Sequence, residues 1–142
     1  MQGAATGDET ADKPSEDPVT ILIAEDSESS QALFSLFFKG MNSRLVFAKN
    51  GREAVAAYKA GAYDLVLMDI FMPLMDGLDA TREIRAHEQA NNLRPTPIVT
   101  ISANDLPEDR DCSAKAGCTD FLPKPVRKAA LLECVARILG DR

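Results

Sequence analysis

Three carboxylates, a hydroxyl and an ammonium stand directly behind the apolar runs of this 142-residue chain. Glu25 and Asp26 follow Val19–Ala24 (VTILIA), Asp69 follows Leu65–Met68 (LVLM), and Ser102 follows Ile98–Ile101 (IVTI). Lys124 and Pro125 come one residue after the weaker run Cys118–Leu122. A single Asp behind a strand is ordinarily a turn residue or a helix cap. Several such groups at the ends of separate runs imply more, because ligands of an open parallel sheet bind beyond the carboxyl ends of its strands. Carboxylates about 5 Å apart repel by roughly 3 kcal/mol per pair at an effective dielectric of about 20, so three together need a counter-charge. Mg²⁺ suits the role: it takes oxygen ligands, keeps several waters and bridges a few carboxylates to phosphate oxygens. Lys124 supplies a second positive group, placed to pair with Asp69 or with a phosphoryl oxygen. A carboxylate in that setting can act as a nucleophile toward phosphorus, giving an aspartyl phosphate. Ser102 then donates a hydrogen bond to the arrived phosphoryl group, as a sensor rather than a catalyst.

The elements that must position these groups can be read from the pattern. None of the three strong apolar runs alternates with period two, so they read as strands covered on both faces, as in a parallel sheet. Weaker strands fit Arg44–Ala48 and Cys118–Leu122. Helical patterns lie between them at Glu28–Gly40, Arg52–Ala60, Leu78–Gln89, Glu108–Ala116 and Val126–Leu139, with Gly40, Gly61, Gly117 and Gly140 at expected C-caps. Strand and helix alternate five times, which predicts an α/β layer architecture with right-handed crossovers. No internal repeat or second core is visible.

Composition narrows the function classes. Acids outnumber bases 22 to 16, for a formal charge of −6, so the basic footprint of direct nucleic-acid binding is missing. Five of those acids and one base fall in residues 1–18, which read as a disordered acidic leader; residues 19–142 then hold 17 acids against 15 bases, so residues 19–140 read as one nearly balanced domain. No apolar run approaches transmembrane length and no signal peptide precedes the domain, so a cytoplasmic location and no membrane contact are expected. Cys112, Cys118 and Cys134 lack zinc-ligand spacing and read as reduced, mostly buried thiols. Neither a Walker-type loop nor a dinucleotide fingerprint is present.

The motifs ILIAEDS, DLVLMDIFMPLMDG, IVTISA and DFLPKP resemble the receiver domain of two-component response regulators, over Val19 to Leu139. The resemblance implies a flavodoxin-like fold with strand order 2-1-3-4-5. It implies that Asp69 accepts a phosphoryl group from a histidine kinase or phosphotransfer protein in the presence of Mg²⁺. Asp26 resembles the direct metal ligand and Glu25 one acting through water, with the backbone carbonyl of Phe71 completing the protein ligands. Lys124 resembles the active-site lysine, Ser102 the hydroxyl switch and Phe121 the aromatic switch, and Lys124–Pro125 corresponds to a cis peptide bond. A downstream protein target and a phosphorylation-dependent homodimer through the fourth and fifth helices are implied partners. MDIFMPLMDG resembles both stand-alone regulators and receivers attached to hybrid kinases.

Two other readings are weighed beside this one. A haloacid-dehalogenase-like Mg²⁺-dependent aspartyl phosphatase carries a second Asp two residues after its nucleophile, where this chain has Phe71. The expectation is therefore no enzyme beyond its own phosphorylation and dephosphorylation. A constitutive interaction module, or pseudo-receiver, would not need the full set of acids, hydroxyl and lysine. His87 reads as a solvated surface residue rather than a phosphotransfer histidine. Phe34, Phe37 and Phe38 read as core packing at helical spacing.

Overall fold

The computed structural model describes residues 17–140; all but the last two residues of the expected acidic leader lie outside them. Ten elements alternate along the chain: β1 (Val19–Ala24), α1 (Glu28–Phe37), β2 (Ser43–Ala48), α2 (Gly51–Ala60), β3 (Leu65–Asp69), α3 (Gly77–Ala90), β4 (Ile98–Ser102), α4 (Pro107–Ala116), β5 (Asp120–Pro123) and α5 (Lys128–Leu139). The strands form one parallel sheet in the order β2-β1-β3-β4-β5.

The continuous apolar runs have a direct cause in this layering. Successive residues of a strand point to opposite faces, so a sheet covered on both sides needs apolar residues at every position. Ile21, Ile23, Leu65, Leu67, Val99 and Ile101 pack with Phe34 of α1, with Phe38 just after it, and with Leu131, Cys134 and Val135 of α5. Leu22, Ala24, Val66, Met68 and Ile98 pack with Ala54, Val55 and Tyr58 of α2 and with Ala80 and Ile84 of α3. Phe37 packs against the first cluster from a half-buried position, so the three phenylalanines do serve the core.

Helix starts follow local chemistry. Ser27, Asn50 and Asp76 each accept a backbone N–H three residues on, satisfying donors that the helix leaves open. α4 starts at Pro107, and Asp109 accepts from the Leu106 N–H at 3.1 Å. Gly117 closes α4 in the left-handed region at φ 111°, where an L side chain would be strained.

Several boundaries differ from expectation, most by a single residue. α1 ends at Phe37 because Phe38 leaves the helix as its cap and is buried at 2% exposure, while Gly40 lies beyond. β5 starts at Asp120: the Thr119 hydroxyl accepts the Ile98 N–H at 3.0 Å, a side chain standing in for strand pairing. α5 starts at Lys128, with Val126 packed against the core from the preceding loop. Asp69 and Ser102 are the last residues of β3 and β4, terminating those strands as expected. The thiols are free, but only Cys134 is buried; Cys118 is half-buried and Cys112 is exposed because α4 turns a polar face outward.

Candidate functional site

Parallel pairing brings the ends of β1, β3, β4 and β5 to one edge of the sheet. Glu25 continues β1 for one more bond, donating its N–H to Ala48 at 2.9 Å, and Ile70 does the same for β3 by donating to Ile101 at 3.0 Å. The carboxylates of Glu25, Asp26 and Asp69 each place an oxygen within 4.8 Å of the others, with Glu25 and Asp69 buried and Asp26 exposed. Lys124 reaches into this cluster. Its Nζ is 2.9 Å from Asp69 Oδ2 and 3.9 Å from Glu25 Oε1. The Lys124–Pro125 peptide bond is cis.

Backbone contacts hold the acids in place. Glu25 Oε2 accepts the Ser27 N–H at 3.0 Å, and the Gln31 side-chain amide donates to the Glu25 carbonyl at 2.7 Å. Asp69 Oδ1 accepts the Phe71 N–H at 3.3 Å. Gly77 donates its N–H to Ile70 at 2.8 Å, and a Cβ there would run into the Asp69 carbonyl oxygen. Gly77 therefore lets the turn close directly behind Asp69, a close approach that only glycine permits.

Charge balance at the site is uneven. Burial pushes the Glu25 carboxyl above its ordinary value; the Ser27 N–H lowers it, and the Asp69 charge pushes it up further. Burial works against the Lys124 ammonium, but its bond to Asp69 and the charges of Asp69, Glu25 and Asp26 outweigh this and raise its pKa. One lysine thus faces three carboxylates, which leaves an anionic, oxygen-only cradle. Such a donor set fits a hard divalent cation.

The other expected groups lie at the same edge. Ser102 is fully buried, and its Oγ accepts the Asn104 N–H at 3.0 Å. Its carbonyl accepts the Lys124 N–H at 2.9 Å, tying the lysine's backbone to β4. Phe121 lies on β5 at 8% exposure. Phe71 is 59% exposed beside the acids. His87 departs from its expected solvated position: it is half-buried and edge-on to Tyr58, with ring centroids 6.2 Å apart.

The family profile of the response regulator receiver domain matches residues 21–136. The chain belongs to that family. The receiver is 34% identical over 148 residues to the response regulator SSK1 of Verticillium dahliae, covering 77% of this chain and 18% of that protein. It is likewise 34% identical to histidine kinase 5 of Arabidopsis thaliana, covering 84% of this chain and 15% of the kinase. The chain thus spans less than a fifth of either relative. Among solved structures, the Ssk1 receiver of Saccharomyces cerevisiae, crystallised with the histidine phosphotransfer protein Ypd1, aligns with TM-score 0.81 and 31% identity over 84% of this chain and 88% of that one. The receiver of the sensor histidine kinase PA1611 of Pseudomonas aeruginosa, with magnesium coordinated in its active-site cleft, aligns with TM-score 0.76 and 34% identity over 87% and 98%.

Some contributors to the receiver's site escaped the sequence reading. Gln31 orients the Glu25 backbone from a helix face with no distinguishing pattern, and Arg110 stacks over Phe121 from eleven residues away with no local signal. Gly77 had a signal: it ends the MDG run that follows the acceptor motif.

Proposed function

We propose that this receiver is a phosphorelay switch in which Asp69 accepts a phosphoryl group from a phosphohistidine. The observation that carries this reading is the 2.9 Å contact between Lys124 and Asp69 inside the acidic cluster. In the reaction an Asp69 carboxylate oxygen attacks phosphorus, the P–O bond forms as the P–N bond breaks, and the imidazole leaves and takes up a proton from water. Lys124 orients the acceptor and balances negative charge on the transferring oxygens. The Phe71 N–H holds the second Asp69 oxygen. Glu25, Asp26, Asp69 and the Phe71 carbonyl would hold Mg²⁺, which supplies charge neutralisation for the incoming phosphoryl group.

The phosphodonor reading has its own support. A groove of about 420 Å³ opens beside Glu25 and Lys124, lined by Leu33, Phe34, Phe37, Pro125 and Val126. Leu33, in the groove wall, is 45% exposed and Leu36, one turn on, is 60% exposed, so α1 presents apolar side chains to solvent here. The occupant this suits is a helix of a histidine phosphotransfer protein, the class of partner found with the Ssk1 receiver. After phosphorylation, Ser102 turns to the phosphoryl oxygen and Phe121 answers the vacated space, changing the face built from α4 and α5. Among the described residues no helix is long and apolar enough to cross a membrane.

The test is intact-protein mass after incubation with Mg²⁺ and acetyl phosphate, beside an Asp69→Asn control. One phosphoryl increment that requires both Mg²⁺ and Asp69 is expected. No increment, with acetyl phosphate or with phosphohistidine donors, would leave a constitutive interaction module in its place.

A further inference from the structure

α4 is held to the sheet by very little apolar burial. Of its ten residues only Ser113 and Ala116 are buried, and the Ser113 Oγ has no hydrogen-bond partner. Thr100, paired with Phe121 in the β4–β5 register, has an equally unpartnered buried Oγ1. Hydroxyls buried without partners cost free energy, and a Ser-Ala face returns little of it. Something else must hold the helix against Phe121.

Arg110 is placed to do so. Its guanidinium carbon lies 4.7 Å from the centroid of the Phe121 ring. The same guanidinium is also held by Asp105, with Nε and an Nη each 2.7 Å from Asp105 Oδ1. Asp105 follows Asn104, whose N–H occupies the Ser102 hydroxyl. An unbroken path of bonded or touching groups therefore runs from Ser102 through Asn104, Asp105 and Arg110 to Phe121.

We propose that Arg110 is a latch: it holds Phe121 in its buried position and, through Asp105, makes that position depend on the loop that follows Ser102. The inference rests on the reading that Ser102 and Phe121 respond to a phosphoryl group on Asp69. A ring lacking a hydroxyl can signal only through packing, and a cation over its face gives it an electrostatic preference for one place. When Ser102 turns away from Asn104, the Asp105 carboxylate moves with its loop, Arg110 loses its anchor, and the ring and α4 are released together. Arg110 is a positioning residue in this scheme and touches no reacting atom.

The test uses the full chain labelled with 4-fluorophenylalanine at its six Phe positions, with the Phe121 signal assigned by Phe121→Leu. Arg110 and Asp105 side chains are 49% and 43% exposed, so their variants keep the core, which circular dichroism checks. In Arg110→Ala the fluorine signal is expected to move toward a solvent-exposed ring, a population change of about two- to fivefold, the worth of one half-exposed cation–π contact. Asp105→Ala gives part of that change, the double variant gives no more than Arg110→Ala alone, and Arg110→Lys restores part of it. An unmoved Phe121 signal in Arg110→Ala, or effects of Asp105 and Arg110 that add in full, overturns the latch. Beryllofluoride with Mg²⁺ then mimics the phosphoryl group: in wild type it should move the Phe121 signal, and in Arg110→Ala that response should shrink. An equal response in both proteins overturns the coupling to the loop. The Asp69 mass increment is read separately, so its failure beside a ring that moves in Arg110→Ala sinks the relay reading and not the latch.

Discussion

Lys124 Nζ lies 2.9 Å from Asp69 Oδ2 and 3.9 Å from Glu25 Oε1, so one ammonium serves two buried carboxylates from the far edge strand. Its removal strips both acids of their cation. In Lys124→Ala, phosphoryl transfer from acetyl phosphate in Mg²⁺ is expected to slow by about 10²–10³-fold, the usual loss when one positioned charge donor at a reacting centre is deleted. Timed intact-mass measurements would show it; an unchanged rate would remove Lys124 from the transfer step.

The same geometry predicts a gain of stability. Three carboxylates with oxygens inside 4.8 Å share a single lysine, and burial already pushes the Glu25 carboxyl up. A Gln at position 25 keeps an acceptor for the Ser27 N–H and drops one repelling charge. Glu25→Gln is therefore expected to be about 1 kcal/mol more stable than wild type without metal, a rise in Tm of roughly 3–5 °C for a domain of this size. Added Mg²⁺ should stabilise wild type more than the variant. Thermal melts with and without Mg²⁺ decide it: a variant that melts lower in chelator, or gains as much from Mg²⁺ as wild type, contradicts the account.

The core strands and the chemical edge were legible for one physical reason. Residues such as Leu22 and Ile23 must both be apolar because each faces a helical layer, and that leaves an uninterrupted run that ends where Glu25 begins. The end of α1 was not legible, since Phe38 caps the helix through tertiary burial and Gly40 offers a stronger local signal. The start of β5 hid behind a Thr119 hydroxyl acting as backbone. Arg110 drew no reading and His87 was read as a surface residue because their partners, Phe121 and Tyr58, come from other elements. The charged network around Glu88 was invisible for the same reason.

That network makes a pH prediction. Glu88 is 2% exposed on α3 and accepts from the Tyr58 hydroxyl at 2.5 Å, the Thr96 N–H at 2.8 Å and Arg85 at 2.8 Å. Burial alone would raise its pKa, but these partners together lower it below the ordinary 4.5. A carboxyl with a depressed folded pKa contributes stability that is fully present above its unfolded value and is lost as pH falls through the folded one. Glu88→Ala is expected to cost about 3 kcal/mol at pH ~7 by leaving Arg85 and Tyr58 without their buried partner. The gap to wild type should narrow as pH drops below about 4.5. Urea titrations at neutral and acid pH measure both, and a gap that stays constant into acid would assign the loss to packing rather than to charge.

Phe71 and Asn104 oppose each other in the lifetime expected of the aspartyl phosphate. Hydrolysis requires a water to reach phosphorus opposite the Asp69 oxygen, in the space beside the acceptor. Phe71 follows Asp69 by two residues, is fixed by its own N–H bond to Asp69 Oδ1, and presents an apolar ring that cannot orient a water. Asn104 is exposed on the neighbouring loop and carries an amide able to do so. Because its backbone N–H is engaged by Ser102, Asn104 stays close to the sheet edge while its side chain remains available. The bulk of Phe71 is expected to prevail, giving a phosphoryl lifetime of minutes or longer. Phe71→Ala should shorten the lifetime about tenfold, and Asn104→Ala should lengthen it by less, since general positioning of one water is the smaller effect. Decay of the phosphorylated mass after removal of acetyl phosphate reads all three. Loss of the label within seconds in wild type, or an unchanged decay in Phe71→Ala, would show that the ring does not control access of water to Asp69.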